Sequence, residues 1–418
     1  MPGSEYLPLQ KLYYQEQSSE RDTKMREEAA RRLLDASTFR TGIEIASGEL
    51  FLAMPRQLAL ISEKLLRVER KVSHLWRDLP GIARWAFLRG LIMDEIVGTN
   101  QIEGVYSTRR QISEALDSIK TNEHKRFREF ANLYLELTKK NHINPSTPVD
   151  IRGIYDAVVA GELDPGQMPD GELFRAEEVT IVDSRGERVI HHGVYPEEKI
   201  SQMLKQMIAL ADSPDIPTLF TAIMAHFLFE YIHPFYDGNG RTGRYLQALY
   251  LSEPLSHPTV LSLSAVIAEH KGAYYKAFLN AEAPLNQGEV TFFVIQMMEF
   301  IRIAQDSVIE NLEDKKETLL TIENRMELFT HDPYTLSQKE VTALFQVAQY
   351  HLFGAFPEIT LAEIAEYGQV STQTARRYSR LLEEKGLIKT VHRRPLKFRL
   401  TRKALEALGI DETPSSEA

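Results

Sequence analysis

Two strongly apolar helical patterns stand almost back to back in this chain, and a domain has to be built around them. From Thr218 to Ile232, Leu219, Phe220, Ile223, Phe227 and Tyr231 recur on one face, the spacing of a helix with a wide buried side. A second pattern starts at Arg241 and runs through Tyr245, Leu246, Leu249 and Leu251. Both need burial, so the surrounding architecture is a helical one. The connector between them is "HPFYDGNGRTGR", residues 233 to 244. Pro234 biases His233 away from helical geometry, so the first helix ends there. Asp237-Gly238-Asn239-Gly240 tolerates positive φ and exposes successive backbone N–H groups. A Gly-rich loop that opens a helix is an anion cradle, because amide donors and the positive end of the helix dipole converge on it.

The remaining side chains of the connector suit the same ligand. Arg241 and Arg244 are three residues apart, so both can lie on the first helical turn and clamp further phosphate oxygens. Asp237 can hold a divalent metal that bridges phosphates. His233 is the best general-base candidate in the chain. Taken singly, each residue also fits a polar turn, with Asp237 paired to an arginine and His233 capping a helix. As an ordered set between buried helices they point to a site that holds phosphate and activates a nucleophile.

Composition narrows the alternatives. There is no cysteine, which removes disulfides, thiolate metal sites and a catalytic thiol, and fits a reducing compartment. The 43% apolar and 26% charged fractions are those of a globular protein. The opening residues MPGSEYLPLQKLYYQEQ lack the pattern of a signal peptide, and no run approaches the roughly 18 apolar residues of a membrane helix. A cytoplasmic location without membrane association is expected.

Along the chain, helical patterns dominate. One runs from about Gln57 to Trp76, and another from Ile82 to Val97, with Trp85, Leu88, Ile92 and Ile96 in register and Gly98 as its expected end. More helix follows "TNQIEGVYSTRRQI" through Lys139, and after the break NHINPSTPVD. One β region is expected: Val179 to Val182 and Val189 to Val194 flank Asp183-Ser184-Arg185-Gly186, a hairpin turn. Helical periodicity resumes at Pro196 and continues to about Asn311. The segment TGIEIASGELFLAMP near the start gives no clear reading.

"HPFYDGNGRTGR" resembles, at every defined position, the HxFx(D/E)GNGRxxR signature of Fic-domain proteins. The resemblance implies a protein adenylyltransferase that moves AMP from ATP onto a Ser, Thr or Tyr hydroxyl and releases pyrophosphate, with Mg²⁺. It implies His233 as the base, Asp237 as the metal ligand, and Gly238, Asn239 and Gly240 as the anion hole. Arg241 and Arg244 would bind the β- and γ-phosphates, with Thr242 and Gly243 inside the same nucleotide-binding stretch. The hairpin 179–194 resembles the flap on which a target segment docks by strand addition. "KGAYYKAF" resembles a Tyr-Tyr stretch found after the motif, which makes Tyr274 or Tyr275 a nucleotide contact. "TNQIEG", residues 99 to 104, resembles the inhibitory motif (S/T)xxxE(G/N), fitted by Thr99, Glu103 and Gly104. A carboxylate on Arg244 would take the place of the γ-phosphate and misalign the α-phosphate. In some relatives the same glutamate supports AMP removal.

The C-terminal segment has a character of its own. Residues 371–403 carry eleven Lys or Arg against two acids, a net +9 inside a chain of −10, which leaves −19 for the rest. Leu361 to Tyr367 reads as a short helix, Gly368 as a turn, and Ser371 as the cap of a second helix running to Lys385. Leu387 to Val391 and Phe398 to Leu400 read as strands around a basic wing, HRRP. This resembles a winged helix-turn-helix domain, serving either DNA or protein contacts, with Arg376, Arg377, Arg380, Arg393, Arg394 and Lys397 as phosphate contacts.

The expected organisation is therefore mainly α. A helical N-terminal extension (1–81) precedes a Fic core with a β-hairpin flap (82–312). A helical linker (313–340), a winged helix-turn-helix domain (341–410) and a disordered tail (411–418) follow. Expected partners are a target protein on the flap, the chain itself as a target, a second copy of the chain, and DNA through residues 371–403. The competing reading is a DNA-binding regulator whose Fic core only senses nucleotide.

Overall fold

The computed structural model describes residues 6–121, 123–139, 143–182 and 189–410. The hairpin turn expected at 183–186 and the polar tail 411–418 lie outside the described residues. In chain order, helices α1 (Leu9–Gln15) and α2 (Arg21–Leu33) lead into strands β1 (Phe39–Ile45) and β2 (Gly48–Leu52). Helices α3 (Arg56–Asp78), α4 (Gly81–Ile102), α5 (Arg109–Thr121), α6 (Arg128–Leu137) and α7 (Pro148–Val158) follow. Strands β3 (Thr180–Val182) and β4 (Val189–His192) form an antiparallel pair. Next come α8 (Glu197–Ala211), α9 (Thr218–Ile232), α10 (Asn239–Leu251), α11 (His257–Val260), α12 (Leu263–Glu269), α13 (Lys271–Glu282) and α14 (Thr291–Arg325). The last part of the chain is α15 (Gln338–Phe353), β5 (Ile359–Thr360), α16 (Leu361–Tyr367), α17 (Thr372–Glu384), β6 (Ile388–Arg393), β7 (Leu396–Leu400) and α18 (Arg402–Leu408). The chain is mainly helical with small sheets, as expected, and no helix among the described residues is long and apolar enough to cross a membrane.

The described residues divide into two compact units. One holds those up to Arg70 together with Ile92–Gln305; the other holds Lys71–Leu91 and those from Asp306 onward. The divisions fall within α3, α4 and α14, so a single domain boundary could not be read from the sequence as a gap between helices.

In the first unit α9 is buried at nearly every turn, including Phe220, Ile223, Phe227 and Leu228, and packs against both α8 and α10. Gly243 lets α10 approach α9, because a Cβ there would lie 2.9 Å from the Phe229 ring. The unit also contains a hairpin absent from the sequence expectation, which places one β region in this part of the chain, at 179–194. β1 and β2 pair antiparallel around Ala46 and Ser47, with Gly48 at φ +130° closing the turn. Ile43, Ile45, Leu50, Phe51 and Leu52 are its buried residues. Short strands with a Gly-containing turn give weak signals beside a highly charged helix such as α2.

The second unit has its own apolar core, in which Val347 and Phe353 of α15, Ile364 of α16, Ala375 and Leu382 of α17, and Phe398 and Leu400 of β7 pack together. Its sheet is antiparallel in the order β5-β7-β6. Ser371 and Thr360 cap α17 and α16 through their side-chain oxygens, the local chemistry that starts helices at Ser and Thr. Glu363 completes a capping box and is buried against Trp85 and Tyr350.

Candidate active site

His233 ends α9 in the left-handed region, at φ 52° and ψ 62°, with its N–H bonded to Phe229 O at 3.0 Å. The loop that follows is held from three directions. Phe235 stacks on Tyr155 of α7 at a ring separation of 3.6 Å. Asn239 accepts from Phe235 N at 3.0 Å and donates to Phe235 O at 2.8 Å, so its side chain closes the loop. Gly238 has φ +80°, and a Cβ there would lie 2.7 Å from Val159 Cγ1, so both backbone and packing demand glycine. The connection therefore delivers the start of α10 in a fixed orientation. Its first amides precede the intrahelical ladder, which opens with Thr242 N to Gly238 O at 3.1 Å. Asp237 is exposed at this end, with one oxygen accepting from Gly238 N at 2.5 Å.

The two arginines of α10 turn to different carboxylates. Arg241 is buried and pairs with Glu162, which Arg126 also reaches at 3.2 Å. Arg244 is buried and meets α4 instead. Its Nε donates to Thr99 Oγ1 at 2.7 Å, and its Nη2 donates to Thr99 O at 3.3 Å and to Glu103 Oε1 at 2.6 Å. Gly240 makes room for this contact, since a Cβ there would fall on the Glu103 carboxylate and 3.0 Å from Arg244 Nη1. The structure thus joins Thr99 and Glu103 to Arg244, although about 140 residues separate them in the chain.

This meeting depends on α4 running past Gly98, where the sequence predicts its end. Gly98 is a packing glycine: a Cβ there would be 2.9 Å from Ala265 N and 3.0 Å from Ser264 C. One turn earlier, buried Glu95 accepts from Ser264 N at 2.9 Å and from Ser264 Oγ at 2.5 Å. The helix continues to Ile102, which sets Thr99 and Glu103 four residues apart on one face. Gly104 then turns the chain at φ +73°, and Lys271 donates to the Ile102 carbonyl.

The protonation states follow from burial. The His233 imidazole is driven down to about 4, by burial first and then by neighbouring His191, and its Nδ1 has no partner among the described residues. It is therefore neutral at pH 7, the form a general base needs. Glu230, on the turn of α9 before His233, is pushed up to about 8 by burial, against the pull of Arg244. His226 is lowered to about 3, again by burial and then by Arg244. With its Nδ1–H given to Gly243 O at 3.1 Å, His226 Nε2 accepts from the Tyr274 hydroxyl at 2.8 Å. Tyr274 is thus an interior residue, whereas the adjacent Tyr275 is 42% exposed. Thr242 is fully buried.

Residues with no sequence signal complete the arrangement. Arg175 is fully buried among backbone carbonyls, donating to His233 O at 2.8 Å, Glu177 O at 2.6 Å and Val194 O at 2.6 Å. It ties the approach to β3 and the exit from β4 to the loop that begins at His233. Gly193 stands beside it, where a Cβ would be 2.5 Å from Arg175 Nη2. His191 of β4 is anchored between Glu282 at 2.6 Å and Tyr231 O at 2.9 Å, with its ring 6.2 Å from that of His233. Nothing in the pattern GELFRAEEV marks Arg175, because it serves a loop and not a periodic face.

A divalent cation fits this donor set in one way. No group of three or more candidate ligands occurs among the described residues. Mg²⁺ needs no such cluster when substrate phosphates supply the other oxygens, and Asp237 offers an exposed carboxylate at the amide end of α10.

Residues 145–251 match the Fic/DOC family. Among solved structures, the chain is similar to a Fic family protein from Desulfovibrio desulfuricans at 18% identity and a TM-score of 0.50, over 84% of this chain and 97% of that one. It is also similar to residues 134–508 of Fic-1 from C. elegans, at 18% identity and a TM-score of 0.47, over 73% and 81%. At such identity the first likeness is one of fold alone. The likeness to the Fic/DOC family thus covers residues 145–251, about a quarter of the chain, and members of that family typically transfer a nucleoside monophosphate to proteins.

Proposed function

We propose that this chain is a protein adenylyltransferase held in an autoinhibited state by Glu103. The observation that carries the reading is the 2.6 Å contact from Arg244 Nη2 to Glu103 Oε1, in which the last arginine of the motif is occupied by the carboxylate of the 99–104 segment. In the active arrangement the side chain of Glu103 leaves Arg244, and the γ-phosphate of ATP takes its place. The first amides of α10 hold the adjoining phosphate oxygens, in the way helix starts bind anions. Arg241 stays buried on Glu162, so its part is to fix the loop and add positive potential beneath the phosphates. Asp237 would hold Mg²⁺, which would neutralise phosphate charge there. Tyr275, exposed beside the buried Tyr274, is the tyrosine available to the nucleotide.

Neutral His233 takes the proton of a Ser, Thr or Tyr hydroxyl as that oxygen attacks the α-phosphorus. The bond from the α-phosphorus to the bridging oxygen breaks, and pyrophosphate leaves. The target segment docks along the β3–β4 hairpin by strand addition. A sensor of nucleotide would need the anion cradle alone. The neutral imidazole beside it favours transfer.

Intact-mass measurement after incubation with ATP and Mg²⁺ tests the chemistry. Glu103→Gly should gain the mass of AMP on itself, and Glu103→Gly/His233→Ala should bind ATP yet gain nothing. A phosphate mass, or labelling that survives loss of His233, rejects the assignment.

A further inference from the structure

The C-terminal unit has a charged face that nucleotidyl transfer does not use. On α17, Ala375, Tyr378, Ser379 and Leu382 point into the core, while Gln373, Arg376, Arg377 and Arg380 are exposed at helical spacing. The β6–β7 hairpin continues this chemistry, with Lys389, Arg393, Arg394 and Arg399 exposed. We infer that this unit is a winged helix-turn-helix module that binds duplex DNA, with α17 in the major groove and the β6–β7 tip on the backbone.

Three observations favour this ligand. First, the acids on the same elements already have partners within the unit: Glu383 accepts from Thr390 N at 2.9 Å, and Glu384 pairs with Arg380 at 3.0 Å. The latter pair is exposed and weak, so Arg380 can exchange its partner for a phosphate. Second, a protein-docking face carries aromatic or aliphatic anchors. Here the only large hydrophobic residue of residues 371–403 that is exposed is Val391, at 37%. Third, α17 is a regular helix of 13 residues with its exposed side uninterrupted. A helix enters the major groove of B-DNA but not the deep, narrow one of A-form RNA.

The acidic remainder of the chain does not forbid this binding. Its field is screened beyond a Debye length of about 8 Å at physiological salt, whereas the +9 segment would lie against the phosphates. From Gln373 to Arg380 the helix advances about 10 Å, enough to face roughly three base pairs. So short a reading frame leaves most of the affinity to phosphate contacts, and salt should weaken it steeply. Gln373 and Arg376, at the start of the exposed face, have the side chains that pair bidentately with adenine and guanine.

Fluorescence anisotropy with the full chain and a mixed-sequence duplex of about 20 base pairs, at monovalent salt from about 50 to 200 mM, provides the test. Wild type should bind at low salt and lose at least about tenfold across this range. Arg376→Ala/Arg377→Ala/Arg380→Ala should weaken binding by at least about tenfold and flatten the salt slope by about one per lost phosphate contact. A control, Arg67→Ala/Lys199→Ala/Lys205→Ala, removes three exposed cations outside the module and should leave binding within about twofold. The proposal is overturned if wild type does not bind at low salt, if the control loses as much as the α17 variant, or if single-stranded RNA of equal length displaces the duplex. Unchanged circular dichroism in both variants excludes misfolding of the module.

Discussion

If Glu103 and the γ-phosphate compete for one guanidinium, removing Glu103 should discriminate between ATP and ADP. Arg244 is 2% exposed and the Glu103 side chain 28%, so their charge-assisted bond is largely shielded from water. A hydrogen bond to a charged group contributes about 1.5–3 kcal/mol, and each 1.4 kcal/mol is about tenfold. Glu103→Gly should therefore strengthen ATP binding by roughly 10- to 100-fold. ADP has no γ-phosphate to place on Arg244, so its affinity should change by less than about threefold on the same scale. Glu103→Gln, which still offers a neutral acceptor, should fall between the two. Calorimetric titration of each variant with both nucleotides, alongside initial rates of labelling from α-labelled ATP, measures this. Equal gains for ATP and ADP would refute the reasoning even if labelling increased, because the glutamate would then be acting on something other than the γ-phosphate subsite.

Other consequences follow from the same geometry. With His233 at about 4 in the folded chain, kcat/KM for labelling by Glu103→Gly should hold as pH falls from 7 and decline only near pH 4; a midpoint near 6.5 would show an ordinary histidine. His226 is neutral in the fold at about 3 and titrates at about 6.5 when unfolded. The unfolded chain thus binds more protons between these values, so stability falls as pH drops from about 6.5 toward 3, and His226→Gln should reduce that loss in denaturant titrations. Arg175→Lys keeps the charge but not the three-way fork, so Glu103→Gly/Arg175→Lys should show a lower kcat than Glu103→Gly with ATP binding little altered, and a lower Tm. Gly238→Ala should be destabilising by more than about 2 kcal/mol, because strain from positive φ adds to the clash with Val159. Gly104→Ala has the strain but open space around it, and should cost only about 1 kcal/mol; equal losses in thermal unfolding would count against this packing account.

Much of the site was legible because its residues are contiguous and chemically unusual. The end of α9 at His233 and the Gly-rich start of α10 follow from local rules about proline and glycine. The capped start of α17 at Ser371 and the two strands of the C-terminal hairpin are equally local. What escaped the sequence depends on long-range packing. Gly98 looks like a helix end but is a contact point with residues 264 and 265. Arg241 and Arg244 share a helical turn, yet their guanidinium groups go to Glu162 and Glu103. Arg175 is buried among the carbonyls of His233, Glu177 and Val194, an arrangement that no spacing announces. The β1–β2 hairpin was missed because two short strands near charged helices leave little periodicity to detect.

The glycine at 98 has one more consequence. Backbone contact on one side of α4, together with the Glu95 bonds to Ser264, acts as a key in a keyway. Neither rotation of the helix about its axis nor sliding along it is open without breaking both. Withdrawal of the 103 carboxylate from Arg244 is therefore left to the final turn, from Asn100 to Gly104, where the helix ends and the chain reverses. Under the proposed restraint by Glu103, activation need not move a helix. It need only peel back four or five residues, a small action at an accessible edge.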